Sequence, residues 1–147
     1  MTLSLKNFET TWGMFPGPCY DPQVEYDDCP ATMLDILNDE RIPAKDRIWA
    51  FANCVEIPTN IKRMAAVRVV CETPIANGRF VFDLLTDQRS INALVVAERH
   101  ANGEATDKEL RDAASADAAA YAAYAAYASA DAAARLAQLE ILKSFFQ

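Results

Sequence analysis

The stretch Asp112–Ala137, DAASADAAAYAAYAAYASADAAARLA, decides how the rest of the chain is read. Sixteen of the 27 alanines in the 147 residues lie within it. Alanine loses no side-chain entropy on entering a helix, so the segment predicts helix with little tertiary help. Just upstream, Thr106-Asp107-Lys108-Glu109 reads as a capping box that opens the same helix. No glycine or proline follows before Phe145, which allows one helix over 106–146, ~60 Å long.

At about 100° per residue, Leu110, Asp117, Tyr121, Tyr124, Leu139 and Leu142 share one stripe, with Tyr127 further round and Asp131 between. The stripe is large and apolar at its ends and small, aromatic and acidic in the middle. Small residues let another helix approach closely, either within the chain or across a homodimer seam. In a packing reading the tyrosines cover the preceding helices and Asp131 pairs with Arg135. In a recognition reading Asp117, Tyr121, Tyr124, Tyr127 and Asp131 form a partner-binding face, tyrosine being enriched at protein interfaces. Both readings stay open at this level.

Upstream the pattern is of short helices. Pro30 suits a first helical position ahead of Met33, Leu34, Ile36 and Leu37, and Asn38-Asp39 stops that run. Pro43 repeats the device for a second helix, expected to bury Ile48, Trp49, Phe51 and Ala52. A third follows Pro58, capped by Thr59 or Asn60, with Ile61, Met64, Ala65, Arg68 and Cys71 on one face. Residues 67–85 contain Asn77-Gly78, a strong hairpin signal, and also Pro74 and Gly78 as helix breakers. Helices are preferred there, because both neighbours are helical and a lone two-stranded ribbon is marginally stable. A helix capped by Asp87 then runs to His100, with Ile91, Leu94, Val95 and Glu98 on its face and Asn102-Gly103 as the stop.

Residues 1–28 are different. Phe15-Pro16-Gly17-Pro18 disfavours regular structure, yet Phe8, Trp12, Met14, Phe15 and Tyr20 are too apolar for a free tail. The expectation is an extended arm laid over the body, with Trp12 as an anchor. The chain is thus read as one all-α domain over 1–147. An acidic and aromatic arm (1–28) and a body of short helices (29–105) pack against one long Ala/Tyr-rich C-terminal helix (106–146).

The net charge of −7 is mostly N-terminal, since Met1–Arg41 carries two basic residues against eight acidic ones. Such a chain does not attract a phosphate backbone, which argues against direct nucleic-acid binding. The cluster Asp21, Glu25, Asp27 and Asp28 is either a solvated surface or a patch that docks on a basic partner, including a protein that itself binds nucleic acid. No uncharged 18-residue run of large apolar residues exists, so no membrane span is expected. The N-terminus lacks the features of a secretory signal, which predicts a cytoplasmic protein with reduced cysteines.

Cys19, Cys29, Cys54 and Cys71 include no C-x-x-C and have one histidine to help them, so no metal site is expected, and Cys54 and Cys71 read as buried small hydrophobes. His100 stands at a helix end, where a capping role outweighs catalysis. Gly-x-Ser-x-Gly, a phosphate-binding Gly-rich loop and His-Glu-x-x-His do not occur. The expectation is a non-enzymatic protein without catalytic residues or cofactor.

Asp87–Leu110, which includes Ala101-Asn102-Gly103-Glu104-Ala105-Thr106-Asp107-Lys108-Glu109-Leu110, followed by Ala-Ala-Tyr repeats, resembles a group of alanine-rich helical proteins of phages and bacteria. Some of these carry the label of immunity protein. Arg41–Trp49 resembles their upstream region, so the resemblance covers roughly Cys29–Leu142 and leaves out the arm. It implies no catalytic residues, and members often carry an aromatic residue where His100 stands. With the charge pattern, it points to a phage-type inhibitor or adaptor that binds a host protein complex in the host cytoplasm, an anti-CRISPR-like role for example. The alternatives are a structural homo-oligomer built through the alanine seam and a small carboxylate-dependent hydrolase.

Overall fold

The computed structural model describes residues 3–15, 32–113 and 132–146. These contain helices α1 (Met33–Asn38), α2 (Ala44–Asn53), α3 (Thr59–Glu72), α4 (Gln88–Ala101), α5 (residues 107–113) and α6 (Ala132–Lys143). Three short 3-10 turns, Trp12–Met14, Ala76–Gly78 and Val81–Leu84, complete the regular structure among the described residues. Strands are absent there, and β pairing is confined to isolated bridges. The described residues are therefore mostly helical, as the pattern predicts. Of the long helix expected over 106–146, residues 107–113 and Ala132–Lys143 are helical, and what joins them lies outside the described residues.

α6 is the hub. It packs against α2 and α3 and touches α1, burying Ala134, Leu139, Ile141 and Leu142, with Phe145 just beyond. Phe51 of α2 meets Phe146 edge-on at 6.2 Å and Phe145 at 6.3 Å, an arrangement aromatic quadrupoles favour.

α3 serves two clusters. Ile61, Ala65 and Val69 face the main core with Met33, Leu37 and Phe51, while Val67 and Val70 face Val81, Leu94 and Ala97 in a second cluster. A helix buried on both sides has no single apolar face. This is why the one-face reading of α3 succeeds for Ile61, Met64 and Ala65 and fails at its end: Arg68 is half-buried and Cys71 exposed. Cys54, by contrast, is buried, and burial pushes its thiol pKa up.

The helix ends follow local chemistry. α1 starts at a Thr32 cap rather than at Pro30: Thr32 Oγ1 accepts from the Asp35 amide (3.2 Å) and Asp35 Oδ2 accepts from the Thr32 amide (3.1 Å). Asp87 accepts from the Arg89 amide at the start of α4 (2.9 Å). At the end of α4 the Gly103 amide donates to His100 O (3.0 Å) and the Glu104 amide to Arg99 O (2.7 Å), a Schellman closure with Gly103 at φ +78°. Thr106 and Glu109 form the capping box read from sequence, at 3.2 and 2.7 Å.

Two faces rotate relative to the sequence reading. On α4 the buried residues are Ser90, Ala93, Leu94, Val96, Ala97 and Ala101, whereas Val95 is 49% exposed and Glu98 is exposed. The small residues let α3 come close, and that contact outweighs the bulk of Val95. On α2 the buried face is Arg47, Ala50 and Phe51, while Ile48 and Trp49 are half-buried and Ala52 is exposed. Between Thr73 and Val81 both sequence readings leave a trace. α3 runs through Glu72, but Asn77 and Gly78 both take positive φ (63° and 69°), and the Ile75 amide to Arg79 O (2.8 Å) and Val81 amide to Thr73 O (3.0 Å) bonds close a single-bridge hairpin turn.

Residues 3–15 run along the body without regular structure beyond the 3-10 turn. The Leu5 amide donates to Phe145 O (2.6 Å), the Met33 amide to Phe8 O (3.0 Å) and the Val55 amide to Met14 O (3.0 Å). Asn7 adds to the α1 cap, accepting from the Leu34 amide and donating to Thr32 Oγ1. Phe8 packs near Phe146 and Phe15 near Trp49. The rest of the expected arm and the Trp12 side chain lie outside the described residues.

Candidate functional site

α2 and α3 are joined by the short turn through Cys54–Pro58, and both anchor on α6 more than on each other. Between them opens a groove of about 480 Å³. Its floor is the buried side chains of Phe51, Ala65, Val69 and Leu142. Ile48 and Ala52 of α2 form one wall, and Lys62, Arg63 and Ala66 of α3 the other, with Thr59 at the mouth. The interior is apolar, and its only charged lining side chains among the described residues are cationic.

The cations differ in their surroundings. Arg63 Nη1 lies 3.1 Å from His100 Nδ1, and His100 Nε2 lies 2.7 Å from Asp107 Oδ1. A guanidinium can only donate, so Nδ1 is the acceptor and the imidazole proton sits on Nε2, facing the carboxylate. The hydrogen bond from His100 holds the Asp107 carboxyl below its ordinary range, helped by the charges of Arg111 and Arg63. His100 thus ties α3 to the start of α5 instead of capping its own helix, which the Gly103 closure already completes. Lys62 makes no ion pair with any described carboxylate.

Asp21, Glu25, Asp27 and Asp28 lie outside the described residues, as do Asp117, Tyr121, Tyr124, Tyr127 and Asp131. What is described is where their segments attach. The acidic four fall between Phe15, set against Trp49, and Thr32, the α1 cap. The tyrosines fall between α5 and α6. Sequence reading passed over Lys62 and Arg63. The available signal was Pro58-Thr59-Asn60-Ile61-Lys62-Arg63, a helix start with two adjacent cations and no carboxylate in an acidic chain. Among the described residues no group of His, Cys, Asp and Glu could hold a metal ion, and no helix is long and apolar enough to cross a membrane.

No family model, curated protein or solved structure matches the chain.

Proposed function

We propose that the protein is a non-enzymatic, phage-type protein that binds a host protein complex and inhibits it, an anti-defence role exercised in the host cytoplasm. The observation that carries this reading is charge placement. Asp21, Glu25, Asp27 and Asp28 fall within eight residues of a region, Met1–Arg41, whose net charge is −6. In sequence these four lie between Phe15 and Thr32, two points held by packing and hydrogen bonds. An acidic segment tethered at both ends loses less conformational entropy on docking than a free tail, and it complements a basic, nucleic-acid-binding surface on a partner. The tyrosines at 121, 124 and 127 supply a second surface of the kind that anchors protein interfaces. The resemblance to alanine-rich phage proteins agrees with this role.

Affinity purification from host lysate with mass spectrometry tests it, comparing the wild type with a variant carrying Asp21→Asn, Glu25→Gln, Asp27→Asn and Asp28→Asn. The expected result is a specific protein complex recovered by the wild type, depleted at least tenfold with the variant and released by moderate salt. Recovery of nothing specific by either protein overturns the reading.

A further inference from the structure

We propose that the groove between α2 and α3 binds a small amphipathic anion, an aliphatic chain ending in a carboxylate, with Lys62 as the group that recognises the head. This goes beyond the protein-binding role and does not depend on it.

The first argument is size. About 480 Å³ falls within the range of small-ligand sites (roughly 300–1,000 Å³). The second is the division of the lining. Phe51, Ala65, Val69 and Leu142 offer carbon surface and no hydrogen-bonding side-chain group, which suits an aliphatic tail and excludes a polar one.

The third is charge. The chain carries −7 overall, yet the charged side chains bordering this groove are Lys62 and Arg63. They stand four and five residues into α3, next to the end of a helix that favours anions, and α3 has no acidic residue in its first turn and no side-chain cap. Cations there are unfavourable to the helix taken alone. Arg63 is linked through His100 to Asp107, whereas no described carboxylate forms an ion pair with Lys62. An anionic head at the mouth, with Thr59 beside it, supplies the missing countercharge while its tail covers the apolar floor.

Decanoate, kept below its micelle concentration, is titrated into the full ¹⁵N-labelled chain and followed through the amides of Ala52, Lys62 and Ala66. The expected result is one saturable transition shared by these amides, at least tenfold weaker for decanol and decyltrimethylammonium. Lys62→Glu is expected to weaken binding at least tenfold without lowering the melting temperature, and Ala66→Trp to abolish it by filling the groove. Unsaturable or scattered shifts, equal binding of decanol, or unchanged affinity in Lys62→Glu would each overturn the proposal. Binding seen only after Asp21, Glu25, Asp27 and Asp28 are neutralised also overturns it, and makes the chain's own acidic segment the occupant.

Discussion

Gln138 lies fully buried on α6, and neither Oε1 nor Nε2 has a hydrogen-bond partner. Burying an unpaired amide forfeits its bonds to water, a cost of about 1–3 kcal/mol that an apolar residue of similar shape avoids. Gln138→Met is therefore expected to raise stability by about 1–2 kcal/mol in urea unfolding, and an unchanged or lower midpoint would show that the amide is satisfied in solution. Arg47 offers a partial contrast at the same scale, since its Nε is also buried without a partner. It too is buried, but Nη1 donates to Leu37 O at 3.1 Å and thereby serves a carbonyl in the last turn of α1. Neither role is legible in sequence, because a glutamine between apolar residues reads as a surface position until its helix is covered.

The connection from α4 to α5 is the element whose local chemistry is most complete. Gly103 takes φ +78° with nothing near its absent Cβ, so Gly103→Ala costs backbone strain alone, about 1 kcal/mol. Thr106→Ala removes half of the capping box for a similar loss of about 1 kcal/mol. Asn at position 103 tolerates the left-handed conformation and is expected to lose less than Ala, and thermal melts of the three variants rank them. Across elements, Arg68 chelates Glu72 with two bonds of 2.9 Å, donates to Ser144 Oγ at 2.8 Å and lies 5.1 Å from the Phe145 ring centre. Lys108 has one exposed ion pair, with Asp112. Exposed pairs contribute little, so Arg68→Ala is expected to cost at least ~1 kcal/mol more than Lys108→Ala, through lost stacking and bridging between α3 and the C-terminus. Equal costs in denaturant unfolding would reduce the Arg68 cluster to surface decoration.

At the scale of the whole molecule, acid is the condition that reaches several contacts at once. Hydrogen bonds hold four carboxyls below their ordinary values: Asp39 by Arg41, Asp87 by Arg89, Asp107 by His100 and Glu109 by the Thr106 amide. A carboxyl lowered on folding stabilises the native state above its unfolded value, and that contribution is lost as pH falls through the folded value. The urea midpoint is therefore expected to hold from neutral pH down to about the ordinary carboxylate values of 4.5 and 3.8, then to fall. A midpoint that rises on acidification would mean that relief of the −7 charge outweighs these bonds.

Sequence alone determined the features set within a few residues of themselves. The helical class, the Asp87 cap, the Asn102-Gly103 stop and the Thr106 to Glu109 box depend on propensity and on hydrogen bonds that span three to five residues, so they could be read directly. Tertiary structure decided which way each helix faces. α3 lies between two clusters, α4 turns its small residues inward, and α2 leaves Ala52 at the edge of a groove. Those outcomes depend on how closely neighbouring helices approach. The groove itself exists because α2 and α3, adjacent in sequence, both pack on α6, a helix more than 50 residues downstream. A one-dimensional pattern records which residues are apolar, but the partner that buries each of them is chosen only when distant segments meet.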